Sequence, residues 1–483
     1  MDLLKSLFIC HCNPFGVHTC HAKIDVMESF VALAILLGIG HFLRTKLRFL
    51  RRLYLPSCVI GGILGLSLLQ AFMLLNISYP QSWTAPWSQL PGQLINVVFA
   101  CLFLGIKLPK LSELWKRSGP QVAYGQIVAW GQYVVGIGLT IFFLGPFFGL
   151  NNLFAGILPV GFEGGHGTAA GMGPMYDSLG WPEGKDFALT SATAGIVSAV
   201  VVGMILVNWA VRNGHTQLFT SPDLVEEDDA IGIIPVDQRP VAGRLCVRSD
   251  SIEAFSLHLV VVALAILLGM GLKGFLMILE GALPLLGRFG IFTSFPLFPL
   301  CMLGGLMVQV FEDRYDRHHL VDVGLIRRIQ NASLDFLVVA AIATIRIQVV
   351  MDGILPLLIL VVAGIAWNVF CLMILARRLL PNAWFERAIA EMGQSMGVTA
   401  TGLLLLRVVD PNYETEAADA FACKQLVHEP FMGGGLWTSI AMPLIYSMGA
   451  LSVFFISCTV MSLWIIAGYI LQWGRQDQRR SAT

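Results

Sequence analysis

Charged side chains are scarce in this chain: aspartate, glutamate, lysine and arginine make up only 13% of its 483 residues. A soluble protein carries about 25% charged residues, whereas here 56% of the residues are hydrophobic and the mean hydropathy is +0.73. This scarcity excludes an ordinary soluble domain and predicts a polytopic protein embedded in a lipid bilayer. Because 31 basic and 31 acidic residues cancel, the bulk charge does not indicate a nucleic-acid partner.

Motifs of enzyme chemistry are also missing. The sequence contains no Walker loop and no His-Glu-x-x-His motif, and its scattered serine, histidine and aspartate residues do not support a catalytic triad. We therefore expect neither an enzyme nor a bound cofactor.

The ten cysteines are scattered along the chain and do not suggest a disulfide framework. Several of them cluster only near the N-terminus. There the chain places three cysteines and three histidines close together, at Cys10, His11, Cys12, His18, Cys20 and His21. Their spacing fits no zinc pattern, and a disulfide outside the cell is an equal alternative to a metal site. We expect a loose extracytoplasmic tail over 1–26, and its apolar core is too short for a signal peptide.

Long apolar blocks predict eleven spanning helices, since a bilayer crossing needs about 20 mostly apolar residues. The predicted spans are 27–43, 54–76, 92–107, 120–148, 187–210, 253–273, 291–311, 332–350, 353–376, 418–447 and 449–472. The segments 151–180 and 388–410 are apolar but interrupted, so we interpret them as half-spans. Basic residues, among them Arg327 and Arg328 after the seventh span, then fall in alternate loops, which predicts an outside N-terminus and a cytoplasmic C-terminus.

The first interrupted segment contains GFEGGHGTAAGMGP, 161–174, and the second contains EMGQSMGVTATG, 391–402. Each follows a long span and leads to a proline turn. Backbone groups freed by such breaks must face protein, water or a ligand. Paired broken segments in halves of opposite orientation are typical of secondary transporters, with the binding site where the breaks meet.

The fold predicted from the residues is an all-α polytopic membrane protein with two inverted repeats of five spans, each containing one interrupted segment, plus one extra C-terminal span. The predicted parts are the tail 1–26, a first repeat 27–210 with interrupted segment 151–180, a cytoplasmic linker 211–252, a second repeat 253–448 with interrupted segment 388–410, the extra span 449–472 and a cytoplasmic tail 473–483. We also expect His428-Glu429-Pro430 to mark a kink in the tenth span.

The stretch Gly164-Gly165-His166-Gly167-Thr168 resembles a motif of the sodium/glutamate symporter family. That resemblance implies two inverted five-span halves with a re-entrant hairpin in each, at 151–180 and 388–410. It also implies sodium-coupled uptake of glutamate by a homodimer with an elevator-like motion. Three features depart from the family pattern: Glu163 before the motif, the polar group Lys424, His428 and Glu429 near the tenth span, and the eleventh span itself.

We expect the substrate, a small anion, to contact Gly164, Gly165, His166, Gly167, Thr168, Ser395, Thr399, Thr401 and Arg346. A guanidinium group can hold a carboxylate with two hydrogen bonds. We expect the coupling ion, sodium, near Glu163, Thr190, Ser191, Thr193, Gly393 and Gly397, because hard cations prefer oxygen ligands.

Each of these assignments has a plainer alternative. An isolated histidine is usually structural, and hydroxyls in spans often bond back to their own helix. Arg346 and Asp335 are eleven residues apart, about 16 Å along a helix, which argues against a direct pair. Glu163 could instead carry a proton, or pair with Lys424 or His428.

Three other functions remain compatible with the sequence: a proton-coupled carrier of another small solute, a channel, and a receptor that kept the fold and lost transport. The paired breaks favour a carrier over a channel. We expect the protein in a prokaryotic inner membrane.

Overall fold

A computed structural model describes residues 8–12, 18–22, 26–52, 55–77, 81–106, 111–217, 234, 236, 239–248, 250–283, 291–316, 318–410 and 413–481. Much of the predicted linker, including 218–233, therefore lies outside the described residues. The predicted loose tail contains two antiparallel strands, β1 (Phe8–Cys12) and β2 (His18–Ala22), with Cys10 opposite Cys20 in the backbone register.

The first part of the chain forms helices α1 Val26–Lys46, α2 Arg48–Arg52, α3 Ser57–Leu74, α4 Gln81–Ala100, α5 Leu111–Leu139, α6 Gly145–Phe148, α7 Ile157–Gly161, α8 Gly165–Gly171, α9 Gly173–Ser178 and α10 Gly184–Arg212. A π-helical turn, Thr140–Leu144, joins α5 to α6, and a 3-10 turn, Asn152–Gly156, precedes α7.

The second part forms helices α11 Ala254–Ala282, α12 Ile291–Ser294, α13 Phe298–Tyr315, α14 Val323–Ala343, α15 Ile347–Asp352, α16 Ile354–Phe370, α17 Ala376–Leu379, α18 Trp384–Met396, α19 Thr399–Val409, α20 Ala417–His428, α21 Leu436–Met448 and α22 Ala450–Ser481. A second π-helical turn, Cys371–Leu375, joins α16 to α17.

In the described part of the chain, seven helices are long and apolar enough to cross a membrane: Met27–Lys46, Ser57–Leu74, Ser118–Phe148, Gly184–Arg212, Ala254–Ala282, Ile354–Leu379 and Ala450–Ile470. Each lies on one of the predicted spans, because hydrophobic length is a property of the local sequence. The chain is thus a helical integral membrane protein, and the full count of eleven spans stays a prediction.

In the described part of the chain, four predicted spans are not continuous helices. The third, 92–107, loses its helix after Ala100, the seventh, 291–311, breaks between Ser294 and Phe298, and the eighth, 332–350, breaks between Ala343 and Ile347. The prediction of one helix over 418–447 was wrong: α20 ends at His428 and α21 begins at Leu436.

The break in the tenth span follows from its residues. Pro430 has no backbone N–H to continue the helix, and Gly434 adopts φ 90°, a left-handed conformation that glycine tolerates. The freed backbone is satisfied locally, since the Leu436 N–H donates to the Pro430 carbonyl at 2.8 Å. The kink predicted at His428-Glu429-Pro430 is therefore a full interruption.

The helices pack in two groups. One group contains α1, α3, α4, α11, α13 and α14, and the other contains α5, α7, α10, α16 and α18 to α22. Small residues permit close approach within a group: Gly304 of α13 lies directly against the backbone of Ala265 in α11. The short helix α8 packs against α10 of the second group and against α4 and α14 of the first. The glycine-rich segment therefore lies where the two groups meet.

Candidate functional site between the two interruptions

The two interrupted segments contact each other. The first break, 162–164, separates α7 from α8, and the second, Gly397 and Val398, separates α18 from α19. Gly165 has φ 66°, and a Cβ placed there would lie 3.0 Å from Val398 Cγ1 and 3.4 Å from the Gly397 carbonyl oxygen. Glycine both adopts this backbone conformation and permits the approach. The convergence that the sequence argument requires is therefore present.

A cavity of about 590 Å³ opens beside this contact, within the usual range for a small-molecule site. Both interruptions line it, and α4, α14 and the end of α20 complete its wall. Its polar and backbone lining includes Gly164, Gly167, Thr168, Thr399, Arg327, Gln330, Asn331, Gln425 and Glu429. The cavity thus brings together residues from both predicted re-entrant segments and from both groups of helices.

Arg327 is the basic group of this cavity that the sequence argument missed, because it was counted only among the loop charges. It lies on α14, where Nη1 donates to Gln330 Oε1 at 2.6 Å. Gln330 in turn donates from Nε2 to the Val98 carbonyl of α4 at 3.1 Å. The helical spacing of Arg327, Gln330, Asn331 and Leu334, which all line the cavity, is a signal that could have identified this face.

His166 turns away from the cavity toward α10. Its Nε2 lies 2.9 Å from Thr193 Oγ1, and that hydroxyl donates to the Leu189 carbonyl at 3.0 Å. Thr190 likewise bonds back to the Asp186 carbonyl at 2.8 Å. For these three residues the structure displays the structural contacts that formed the plainer alternative.

The remaining residues predicted in the second break divide between cavity and packing roles. Thr399 lines the cavity and accepts a hydrogen bond from Gln425 Nε2 at 2.6 Å. Ser395 instead donates to Asn368 Oδ1 at 2.5 Å. A Cβ on Gly393 would lie 2.7 Å from Gly402 Cα, and one on Gly397 would lie 3.0 Å from Thr401 Oγ1. Gly393, Gly397 and Thr401 therefore belong to the close packing of α18 on α19.

Arg346, predicted to hold a substrate carboxylate, is not among the residues that line this cavity. Its Nε donates to Asp186 Oδ2 at 2.8 Å, and its backbone N–H donates to Asp186 Oδ1 at 2.9 Å. Its Nη2 also donates to the Pro182 carbonyl at 2.8 Å. Asp186 is buried at the start of α10, so these contacts join α10 to the break between α14 and α15.

Glu163 lies in a buried polar network. Its Oε1 lies 2.5 Å from His428 Nε2 and accepts from Gln394 Nε2 at 2.9 Å. Its Oε2 has no hydrogen-bond partner among the described residues, and the same holds for the buried Ser191 hydroxyl. Of the pairings considered from sequence, Glu163 with His428 is present, while Lys424 bonds to Glu391.

Comparison with known proteins agrees with the motif at the first break. The family model of the sodium/glutamate symporters matches residues 22–415. Curated relatives described as sodium/glutamate symporters, from Escherichia coli (strain K12) and Shigella flexneri, are each 26% identical over 241 residues. The aligned region covers 48% of this chain and 55% of each relative, so the chain spans about half the length of the curated relatives it matches.

Proposed function

Because the chain belongs to the sodium/glutamate symporter family, we propose that it is a secondary active transporter that uses a sodium gradient to accumulate glutamate or a related anionic amino acid or carboxylate. One observation carries the proposal. The cavity between the interruptions is lined by a guanidinium, Arg327, and a carboxylate, Glu429, together with amide and hydroxyl groups. An acidic amino acid carries carboxylates and an ammonium group, which are the complementary charges.

In this cavity Arg327 would bind a substrate carboxylate through two parallel hydrogen bonds. Glu429 would face the ammonium group, while Thr168 and Thr399 would supply hydroxyl contacts. Helix α19 begins at Thr399, and the positive end of its dipole favours an anion nearby. A pocket that fixes both charges would discriminate against neutral amino acids, because those would leave a charged group unpaired.

We place the coupling sodium near Glu163. Its Oε2 and the Ser191 hydroxyl are buried oxygens without hydrogen-bond partners among the described residues. Oxygen atoms of this kind suit a hard cation, and an unmatched buried carboxylate oxygen is costly unless a positive group compensates it. Bound sodium would provide that compensation and would help to hold the two interruptions together.

We propose that the fold consists of two inverted five-span halves, 27–210 and 253–448, moving by an elevator-like mechanism in a homodimer. The order of elements supports the repeat: the π-helical turn Thr140–Leu144 precedes the first break, and Cys371–Leu375 precedes the second. The cavity lies between the two groups of helices, so movement of one group past the other would carry the substrate. We expect the inner membrane as its location, with the N-terminus outside.

Transport into liposomes tests this function. The purified full-length chain, reconstituted into potassium-loaded liposomes and diluted into sodium buffer, should accumulate radiolabelled glutamate above its external concentration. Replacing external sodium with choline should abolish that accumulation. Uptake that is indifferent to sodium would reject the proposal, as would equilibration without concentration, expected of a channel, or binding without flux, expected of a receptor.

A further inference from the structure

Lys424 is a fully buried lysine on α20 that the proposed transport cycle does not use. Its ammonium group donates to three oxygens: Glu391 Oε1 at 2.6 Å, Gln394 Oε1 at 3.1 Å and Gln425 Oε1 at 2.9 Å. An ammonium group has three N–H donors. One carboxylate and two amide carbonyls therefore satisfy the whole group, so that the cation sits in an oxygen cage.

The surrounding helices make room for this cage. Gly125 of α5 lies beside it, and a Cβ there would clash with Lys424 Cε and lie 2.7 Å from Glu391 Oε1. From the same helix, Gln121 Nε2 donates to Glu391 Oε2 at 3.1 Å. Both carboxylate oxygens of Glu391 are therefore engaged, and the wall contributed by α5 is shaped around the ion pair.

The cage connects directly to both interruptions. Gln394 accepts from Lys424 through Oε1 and donates from Nε2 to Oε1 of Glu163, which lies in the first break. Gln425 accepts from Lys424 through Oε1 and donates from Nε2 to Thr399, which lines the cavity at the second break. One side-chain amide therefore links the Lys424 ammonium to the proposed sodium site, and another links it to the proposed substrate cavity.

A buried carboxylate such as Glu391 requires a positive partner, since an uncompensated charge in the interior is strongly destabilising. Oxygen cages of this composition are equally the ligand set of a hard metal cation. A lysine in the cage and a mobile alkali cation are therefore alternative ways to neutralise the same carboxylate. The lysine differs in one respect: it is covalently held, so its occupancy does not depend on the ion concentration on either side of the membrane.

We propose that the Lys424 ammonium is a tethered cation that occupies a cation site formed by Glu391, Gln394 and Gln425, and that it thereby takes the place of one coupling sodium ion. The inference rests on the proposed function, because it concerns the number of sodium ions that the transporter uses. Removal of the Lys424 side chain should therefore leave an empty cation site that sodium can occupy.

Sodium-dependent thermal stability of the purified full-length chain tests this proposal. In Lys424→Ala, the unfolding temperature should rise with sodium concentration more steeply than in the unaltered protein, at constant ionic strength maintained with choline. Sodium-driven uptake should also steepen, with a Hill coefficient higher by about one if the new site is coupled. The double variant Lys424→Ala with Glu391→Gln should lose the added response, and Lys273→Ala, on α11 outside the cage, should behave like the unaltered protein.

An unchanged sodium response in Lys424→Ala would overturn the inference, as would a double variant that responds as strongly as the single one. Lys424→Ser, which retains an oxygen, provides a second variant with the same expectation. If neither variant folds at any sodium concentration, the inference also fails, because a vacated site should be refilled by sodium. Failure of the proposed function would look different: the unaltered protein would take up glutamate without sodium, whereas the binding measurement on Lys424→Ala does not depend on transport.

Discussion

Replacing Arg327 with glutamine should weaken substrate binding while leaving the fold intact. The side chain lines the cavity between the interruptions and is oriented by Gln330, whose Oε1 lies 2.6 Å from Arg327 Nη1. A hydrogen bond to a charged group contributes about 1.5–3 kcal/mol. Because about 1.4 kcal/mol corresponds to a factor of ten, loss of the guanidinium should raise the KM for glutamate roughly tenfold to a hundredfold.

The neighbouring Arg328 provides a matched control. It lies on the same helix and carries the same charge, but it is exposed and is not among the residues lining the cavity. Exposed charges are screened over about 10 Å at ordinary salt concentrations, so Arg328→Gln should change the KM less than twofold to threefold. The assay is sodium-driven uptake into liposomes over a range of glutamate concentrations, with thermal unfolding measured in parallel.

Two results would refute the placement of the substrate beside Arg327. One is an unchanged KM in Arg327→Gln with only the maximal rate reduced, since this would assign the side chain to the motion and not to binding. The other is an equal rise in KM for both arginine variants, since this would show that the KM depends on the overall positive charge of this region and not on contact between Arg327 and the substrate.

Three further substitutions test which contacts maintain the fold and which serve transport. Arg346→Met should lower stability by about 1–3 kcal/mol, because the buried Asp186 Oδ2 loses its side-chain donor while the backbone donor to Oδ1 remains. Chemical denaturation would measure this loss. A raised KM with unchanged stability would instead support substrate binding by Arg346. Gly165→Ala should impair uptake more than Gly180→Ala, although both glycines have positive φ, 66° and 75°. Both changes strain the backbone by about 1–2 kcal/mol, but only the first also brings a Cβ to 3.0 Å from Val398 Cγ1, whereas Gly180 has open space. Equal uptake by the two variants would show that contact between the breaks is unimportant.

The buried network brings together Glu163, Lys424 and His428, which the sequence analysis had singled out as unexpected in the family. Glu163 introduces a carboxylate at the first break, and His428 and Lys424 bring basic groups from α20 into the same region. Burying one of these side chains without a partner in a membrane interior would be strongly unfavourable, whereas hydrogen bonds between acidic and basic side chains offset that free-energy cost.

The sequence by itself determined the membrane class, most of the spanning helices and the position of both interruptions. The predicted span 120–148 corresponds to a helix over Ser118–Phe148, and 353–376 corresponds to Ile354–Leu379. These features follow from local chemistry, because a segment enters lipid according to its own apolar length and loses its helix where glycine or proline accumulates. The interruption after His428 could have been predicted in full from Pro430 and the glycines that follow it.

Only the tertiary structure decided which polar groups meet. Arg346 bonds to Asp186, 160 residues away, and Gln394 joins Glu163 across 231 residues. Arg327, counted from sequence as a loop charge, lines the cavity because α14 packs beside α8 and α4. Hydropathy indicates which segments can enter the membrane. Which polar side chains bond to each other depends on how distant segments pack, and the spacing of residues along the sequence does not give their separation in space.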